Sequence, residues 1–443
     1  MWGSAKRYEP WSRLPCGESV SVIRPVWRSD PLDLRAIPHP VLPFGQGRTF
    51  GDTCANPGGV VIDTEKLDRF IAFDPASGRL ACESGTTLAQ ILELVVPRGW
   101  FLPVCPGTKH VSVGGAIAHD IHGKNHPRTG TFGEHVVRLE LLRSSGERLS
   151  CDREQNADLF RATIGGLGLT GLILSAELAL QRTALPLLDT ETVRCNHLDE
   201  FFDFAEHAAG DWEYHVTWVD SFGRGEPGAK MLIVRADTAH ASTDTRTPRQ
   251  LRLPSGIPTP LFNRLSIRAL NVAYYRSHVR PVTRRRAHYE AFLFPQDGLH
   301  PTNDVYGRRG VWSYQCLLPF ASARGAVPEM LRRVSRAGDE SWGTVLKVFG
   351  ERTAPGLLSF TGPGISVTVG FPNWGERCLH VLGELDRIVL DAGGKLYPAK
   401  DARMPADVFQ RSFPTWETFA RLVDPRFSSR FWQRVSGPVQ SAG

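Results

Sequence analysis

The sequence predicts an α+β protein of two or three domains, and two observations support this prediction. A chain of 443 residues exceeds what one ordinary hydrophobic core holds. Short strand patterns alternate with glycine-rich turns up to about residue 182, whereas longer helical patterns and aromatic-rich strands follow from about residue 190. We predict domain boundaries at 14–185, 186–395 and 396–443, the last segment beginning with a strand and ending in a helical tail.

The first domain shows strand, helix and hairpin patterns in order. GGVVIDTEKL and GRLACESGTTLAQILELVVPRG predict two strands and then a helix that begins after Thr87 and ends near Gly99. HVVRLELLRSSGERLSC predicts a hairpin that turns at Ser144–Gly146. NADLFRATIGGLGLTGLILSAELAL predicts a helix, a glycine turn and a strand.

The second domain is predicted to hold a mainly antiparallel sheet flanked by helices. LDEFFDFAEHA and RCLHVLGELDRIVLDAGG have helical periodicity. EYHVTWVDSF, GVWSYQCLLP, TVLKVFG and GISVTVGFP are typical of strands. The polar segment 236–260, rich in Pro, Ser and Thr, is predicted to be a mobile loop.

Charge and cysteine usage exclude several function classes. The net charge of +6 comes mostly from arginine, and Arg284–Arg286 with Arg308 and Arg309 could contact phosphates, although a solvated face is the favoured interpretation. No helix combines a basic face with interleaved aromatics, so no nucleic-acid partner is predicted. The eight cysteines are spaced singly without a CxxC motif, which argues against a disulfide framework or zinc ribbon and favours a reducing compartment.

The expected location is cytoplasmic. The N-terminus MWGSAKRYEPWSR lacks the apolar core of a signal peptide, and no apolar run reaches the roughly 18 residues that span a bilayer. Peripheral contact with the inner membrane face stays open.

Two glycine-rich segments indicate a large dinucleotide ligand. LPFGQGRTFGD supplies Gly45, Gly47 and Gly51, and CPGTKHVSVGGAIAHDIHGKN supplies further small residues about sixty positions later. Consecutive small residues let backbone N–H groups point into one concavity, which binds anions without a helix dipole. Two such segments with strands between them predict the two walls of a dinucleotide cleft.

A third glycine segment, IGGLGLTGLIL, contains a formal G-x-G-x-x-G at Gly166, Gly168 and Gly171. A Rossmann site needs a strand before the glycines and a helix after them. Here a helical pattern precedes the glycines and a strand pattern follows them, so a Rossmann site is disfavoured.

The second segment also contains three histidines at helical spacing. His119, His122 and His126 are three and four residues apart, which zinc would accept on a helix. Gly123, Pro127 and the lack of an acidic partner argue against a metal, and we predict none. A catalytic base at His122 is a second hypothesis, and a cofactor-lining or structural role is favoured.

Taken together, these motifs resemble a known enzyme class. GQGRTFGD, LPVCPGT, SVGGAIAHDIHGKNH, GTFGEHV and GGLGLTGLI are similar to the vanillyl-alcohol-oxidase class of FAD enzymes, with its PCMH-type FAD domain. AIAHDIHGKNH, WSYQCLLP, LKVFG and YPAKDAR are most similar to the decaprenylphosphoryl-β-D-ribose 2'-oxidase family, so the resemblance runs from about residue 40 to 405. The more distant sugar-lactone oxidases share the FAD domain.

The resemblance implies a two-lobed FAD-binding domain, a substrate domain over the flavin ring, and a C-terminal segment that returns to the flavin. The implied cofactor contacts are Pro43, Phe44, Gly45, Gln46, Gly47, Arg48, Thr49, Phe50, Gly51, Asp52, Thr53, Gly107, Ser112, Val113, Gly114, Gly115, His119, Asp120, Ile121, His122, Ile173 and Tyr397. The implied catalytic residues are Lys400, Lys347, Gln315 and His122, and the implied substrate-binding residues are Trp218, Lys124, Ser313 and Thr368.

Several positions depart from the family pattern. Many relatives attach FAD through a histidine in the first glycine segment, and Arg48 stands in that place, so we predict non-covalent FAD. Ser313 replaces a glutamine, Thr368 a cysteine, Gly370 an aspartate and Phe50 a tyrosine. These departures leave the exact substrate open.

The residues allow a mechanism to be stated. An alcohol oxidase transfers hydride from the carbinol carbon to flavin while the hydroxyl proton is removed. Lys400, in a turn after a strand, is predicted to assist proton removal or stabilise charge, against a surface pairing with Asp401 or Asp391. Lys347 is predicted to reach the substrate, and Gln315 to orient it.

Three functions stay open at this point. The first is oxidation of a sugar alcohol, on a polyprenyl-phosphate-linked pentose or another sugar, as half of an epimerisation with a short-chain reductase as partner. The second is a sugar-lactone or polyol oxidase. The third is a binding protein that has lost flavin, which the intact glycine segments argue against.

Overall fold

The computed structural model of the protein describes residues 8–14, 16–183, 187–207, 210–221, 230–239, 251–252, 264–300, 309–337 and 344–437. Helices and mainly antiparallel sheets alternate along these residues, so the predicted α+β class is confirmed.

A small parallel sheet begins the fold. Its strand order is Ser21–Ile23, Val60–Asp63 and Val41–Phe44. The last of these strands leads directly into Gly45, and Thr64 donates from its backbone N–H to the Phe44 carbonyl over 3.0 Å. The sheet therefore fixes where the first glycine segment starts.

A five-stranded antiparallel sheet forms the second framework. In spatial order its strands are Phe70–Asp74, Arg79–Glu83, Leu172–Ala179, Val136–Leu142 and Arg148–Asp152. The helix Leu88–Val95 begins where Thr87 accepts a hydrogen bond from the Gln90 N–H, and its Ile91 lies buried in the same core. The predicted hairpin is confirmed, because Val136–Leu142 pairs antiparallel with Arg148–Asp152.

An eight-stranded antiparallel sheet spans the second half. In spatial order its strands are Val282–His288, Leu187–Cys195, Met231–Thr238, Tyr214–Val219, Thr344–Phe349, Gly364–Pro372, Val311–Leu318 and Lys395–Leu396. Side chains alternate between the two faces of a strand. Leu346 and Val348 therefore enter the core beneath the sheet, whereas Val345 and Lys347 point to the opposite face.

The helices Leu198–His207, Phe320–Ala337 and Glu376–Asp391 pack on the core face of this sheet. Three short helices form the C-terminal segment. Among the described residues, the α-helices are Leu88–Val95, Val113–Ala118, His126–Thr129, Ala157–Thr163, Leu198–His207, Arg264–Ser277, Tyr289–Leu293, Phe320–Ala337, Glu376–Asp391, Ala406–Ser412, Trp416–Ala420 and Arg430–Val435. Short 3-10 turns lie at Asp52–Cys54, Val96–Arg98, Phe132–His135, Pro295–Gly298 and Pro398–Lys400. Two short pairings, Trp100–Phe101 with Gln181–Arg182 and Leu251–Arg252 with Leu299–His300, complete the strands.

The predicted mobile loop lies only in part within the described residues. Of the predicted mobile loop, Ala236–Thr238 belong to a strand and Leu251–Arg252 to another, while residues 240–250 and 253–260 lie outside the described residues. The boundary expected after residue 395 falls inside the strand Lys395–Leu396, and the domain division stays a prediction. Within the described ranges, no helix is both long enough and apolar enough to cross a membrane.

Candidate active site

A cavity of about 550 Å³ lies between the glycine segments and the free face of the eight-stranded sheet. Most of the predicted cofactor residues line it: Pro43, Gly45, Gln46, Gly47, Arg48, Thr49, Phe50, Thr53, Gly107, Ser112, Gly114, Gly115, His119, Ile121, His122, Ile173 and Tyr397. Its volume is within the range of small-molecule and cofactor sites. The two glycine segments therefore line the same cleft.

The first glycine segment is held against the turn that contains Lys400. The backbone N–H groups of Phe50 and Gly51 donate to the Ala399 carbonyl over 2.9 and 3.1 Å, and the Thr49 hydroxyl donates to it over 2.7 Å. A Cβ at Gly51 would lie 2.1 Å from the Asp401 carbonyl, so this contact requires glycine. The cofactor wall and the predicted catalytic lysine are thus one connected unit.

The second segment corrects one expectation. A backbone nest without a helix was predicted, but the residues form the short helix Val113–Ala118, which the Ser112 hydroxyl caps by accepting from the Gly115 N–H. The helix ends at Ala118, and beyond His119 the residue Asp120 has a left-handed conformation with φ +40°. After this helix the backbone is irregular, so His119, His122 and His126 do not lie along one helix.

Five predicted cofactor residues lie outside the cavity wall and have other partners. Phe44 packs edge-on against Tyr8, and Val113 is buried in the core of the five-stranded sheet. The Asp120 carboxylate accepts from the Ser359 hydroxyl and the Gly133 N–H, and Asp52 accepts from Arg434. Gly51 binds the Lys400 turn, so direct cofactor contact of these five stays a prediction.

The cavity wall fits a flavin dinucleotide. A Cβ on Gly45 would lie 2.3 Å from the Ser112 Oγ, so a side chain there would force Ser112 to move, and one on Gly114 would crowd the Ser84 Cβ at 3.1 Å. Ser84 is buried at the wall, and its Oγ has no hydrogen-bond partner among the described residues. A buried hydroxyl without a partner is costly unless a ligand binds it.

Three lysines, Lys124, Lys347 and Lys400, also line the cavity. Burial, and to a smaller extent the positive charge of Lys347, lowers the pKa of Lys400 to about 7. Burial also lowers the pKa of Lys347 to about 8 and that of Lys124 to about 7. No Asp or Glu is among the described residues that line the cavity. The site therefore favours an anionic ligand and a lysine that can lose its proton near neutral pH.

Gln315 and His122 form a buried pair beside these lysines. The Gln315 Nε2 donates to the His122 Nε2 and to the Ser366 Oγ, both over 2.9 Å. Burial lowers the pKa of His122 well below its usual value, and the charges of Lys347 and Lys400 lower it further. The neutral ring holds the Gln315 amide, whose Oε1 has no partner among the described residues.

Three of the four predicted substrate-binding residues line the cavity. Trp218, Thr368 and Lys124 line the cavity, and the Trp218 ring meets the Tyr274 ring edge-on at 5.1 Å. The Lys124 Nζ donates to the Phe292 carbonyl. Ser313 shares the sheet face of Gln315 but is not among the described lining residues, so its role stays a prediction.

Sequence reasoning missed several lining residues. Leu167, Gly168 and Gly171 of the third glycine segment line the cavity, although the segment was set aside with the Rossmann hypothesis. Their signal was a third glycine run in the same domain. Ser84 and Tyr274 belong to no recognisable motif, and only the folded chain places them at the cavity.

The histidines of the second segment have separate environments. His119 contacts the Thr53 hydroxyl over 3.0 Å, and His126 accepts from the Gly350 N–H over 3.2 Å and stacks on Phe349. In the part of the chain that the structure describes, no three His, Cys, Asp or Glu residues are arranged to hold a metal.

Comparison with known proteins defines the class. The model of a family described as FAD binding domain matches residues 34–152, which contain both glycine segments. The chain is an FAD-dependent oxidoreductase with a PCMH-type FAD domain.

Relatives that cover most of the chain define the family. The chain is 34% identical over 402 residues to decaprenylphosphoryl-β-D-ribose oxidase of Mycolicibacterium smegmatis, covering 87% of this chain and 86% of that protein. It is 35% identical to an uncharacterized protein of Streptomyces coelicolor, over 76% of this chain and 96% of that protein. A D-arabinono-1,4-lactone oxidase of Yarrowia lipolytica is 29% identical over 27% of this chain and 23% of its own length. The chain belongs to the family of decaprenylphosphoryl-β-D-ribose oxidase.

The flavin is expected to be released by acid. Arg48, in place of an attachment histidine, donates from Nε to the His110 carbonyl over 3.1 Å, and its guanidinium stacks on Trp11. A guanidinium that stays protonated cannot act as the nucleophile that forms a flavin bond. Acid precipitation of the holoprotein should therefore leave the yellow colour in the supernatant, and flavin retained in the washed pellet would contradict this prediction.

Proposed function

We propose that the protein oxidises a secondary hydroxyl of a pentose that is linked to a polyprenyl phosphate. The observation that supports this most is the group of three buried lysines, Lys124, Lys347 and Lys400, at a cavity wall without a described carboxylate. A phosphodiester supplies the negative charge that such a group needs. The name of the Mycolicibacterium relative supports the same substrate class.

The wall beside the lysines suits an apolar carrier. Val216, Trp218, Val234 and Val345 project from neighbouring strands of the eight-stranded sheet into the cavity, and Tyr274 adds an aromatic ring. Apolar walls with a few polar groups are typical of small-molecule sites. A prenyl chain would remove these side chains from water, whereas a free sugar would not.

Bound FAD supplies the acceptor for the hydride that leaves the carbinol carbon. Lys400, neutral in part near pH 7, accepts the hydroxyl proton at its Nζ. The Gln315 Oε1 accepts a hydrogen bond from a second sugar hydroxyl, and His122 keeps that amide in place. Lys347 and Lys124 bind the phosphate.

The ketone product would be returned to an alcohol by a second enzyme, a short-chain reductase, and the pair of reactions would complete an epimerisation. The proposed location is the cytoplasmic face of the inner membrane, where a lipid-linked sugar is accessible. A neutral sugar lactone or polyol offers no anion for the lysines and is the competing substrate class.

Anaerobic mixing tests the proposal. A short-chain prenylphosphoryl-β-D-ribose should bleach the flavin absorbance, and the matched prenyl riboside without phosphate should bind about tenfold or more weakly, because it lacks hydrogen bonds to charged groups. D-Arabinono-1,4-lactone and a pentitol are the comparison substrates. Faster bleaching by either of these than by the prenylphosphoryl sugar would overturn the proposal.

A further inference from the structure

The helix Arg264–Ser277, which we name the basic helix, has apolar side chains on both faces. Ile267 and Tyr275 are buried against the fold, and the Tyr275 hydroxyl donates to the Cys195 carbonyl over 3.1 Å. On the outer side, Leu270 and Tyr274 are 49% and 45% exposed, one helical turn apart. A helix that is apolar on both faces is typical of one covered on both sides.

Apolar exposure continues beyond the helix into an edge strand. Val279 is 79% exposed in the connection, and Val282 is 44% exposed at the start of the strand Val282–His288. That strand lies at one end of the eight-stranded sheet and, among the described residues, pairs in that sheet with Leu187–Cys195 alone. The exposed apolar side chains Leu270, Tyr274, Val279 and Val282 therefore all lie within residues 270–282.

The same stretch is strongly basic. Residues 264–288 contain seven arginines and no Asp or Glu. Arg276, Arg280 and Arg285 are exposed and have no ion pair with any carboxylate among the described residues. Arg284 and Arg286 pair with Glu191 and Asp189 on the neighbouring strand. The outer arginines are thus available to an anionic partner.

This stretch adjoins the cavity. Tyr274 of the basic helix lines the cavity and contacts the Trp218 ring, so the exposed helix face and the apolar wall share one side chain. A partner that covers this surface would also stand beside the cavity.

We propose that this surface binds an anionic phospholipid bilayer. We name it the basic apolar surface, and it consists of Leu270, Tyr274, Arg276, Val279, Arg280 and Val282. Exposed apolar side chains enter the boundary between headgroups and acyl chains, while arginines attract anionic headgroups. The choice of a bilayer over an acidic protein rests on the proposed function, because a prenyl-linked substrate resides in the membrane.

Vesicle flotation of the holoenzyme tests this inference. The protein should float with vesicles of phosphatidylcholine and phosphatidylglycerol, bind phosphatidylcholine alone more weakly, and dissociate as salt rises. Arg276→Glu with Arg280→Glu should weaken binding to the anionic vesicles by about tenfold or more. Leu270→Ser with Val279→Ser should weaken it without changing the salt dependence, since these uncharged substitutions remove the apolar contribution and leave the arginines in place.

The matched control carries the same charge change elsewhere. Arg387→Glu with Arg411→Glu alters two exposed arginines on helices of the C-terminal half and should bind vesicles like the wild type. The inference is overturned if the wild type does not float, or if the control variant loses binding as the surface variants do. Flavin bleaching by the prenylphosphoryl sugar in detergent is measured separately, so failure of the surface and failure of the proposed substrate give different results.

Discussion

Replacing Lys400 with methionine is expected to lower the rate of substrate-driven flavin reduction by about a hundredfold to ten-thousandfold. Lys400 faces the cavity in the turn Pro398–Lys400, and burial with the charge of Lys347 holds its pKa near 7. Methionine occupies similar space but cannot accept a proton. Rapid anaerobic mixing with the prenylphosphoryl substrate measures the rate directly.

The pH dependence distinguishes proton removal from charge stabilisation. The pKa of Lys400 is lowered to about 7, so the side chain is protonated below that pH and neutral above it. A base must be neutral, so the wild-type rate should rise as pH increases through about 7. Lys400→Arg keeps a positive charge but stays protonated, and it should be as slow as Lys400→Met.

The control for this step is Lys124→Met. Lys124 also has a pKa lowered to about 7, but its Nζ is bonded to backbone carbonyls. This variant should bind substrate more weakly and keep the rise in rate with pH. An unchanged rate in Lys400→Met, or a pH profile that survives there, would remove Lys400 from the mechanism.

Replacing Arg434 with methionine is expected to lower the free energy of unfolding by about 3 kcal/mol. Arg434 makes a bidentate pair with the buried Asp52 over 2.9 and 3.0 Å and also donates to Asp401 over 3.1 Å. It therefore links the C-terminal helix to the first glycine segment and to the residue after Lys400. The Arg434 side chain is 23% exposed, so the expected loss of stability is at the lower end of the range for breaking a buried ion pair.

The loss in Arg434→Met should depend on pH. Burial raises the pKa of Asp52 to about 6 even beside Arg434, so protonation stabilises the folded state at low pH and this contribution is lost as pH rises through about 6. Without Arg434, the buried negative charge of an ionised Asp52 loses its bidentate partner and costs more free energy. The deficit in stability should thus be larger at about pH 8 than at about pH 5, as measured by urea unfolding.

Arg430→Met is the comparison variant. Arg430 lies 3.5 Å from the same carboxylate, but its side chain is 45% exposed, so the charge is better hydrated and the loss should be about 1 kcal/mol or less. Equal losses in the two variants, or a deficit in Arg434→Met that does not change with pH, would contradict this role for Arg434.

Local patterns in the sequence predicted most secondary structure and both walls of the cleft. Thr87 and Gln90 mark the start of a helix because capping acts between residues three apart. The first two glycine segments were assigned to one cleft because glycine permits close backbone approach, and Gly45 does meet Ser112 of the other segment. The third segment was set aside because its Rossmann pattern failed, yet Gly168 lies beside Pro43 at the same cavity.

Contacts between distant residues could not be predicted in this way. Asp52 and Arg434 are 382 positions apart, and neither has a local pattern that identifies the other. Gln315 was expected at the substrate, but its pairing with His122, 193 positions away, depends on how the eight-stranded sheet lies over the second glycine segment. Such pairs are set by tertiary packing rather than by local sequence.

The central claim is that FAD binds between the two glycine segments, and titration of apoprotein with FAD tests it most directly. The wild type should bind one FAD and quench its fluorescence, whereas Gly45→Val should bind about tenfold or more weakly, because even its Cβ would lie 2.3 Å from the Ser112 Oγ. Gly325→Val, in a helix with open space around the glycine, should bind like the wild type. A wild-type protein that stays colourless and binds no added FAD, or equal binding by Gly45→Val, would contradict the account.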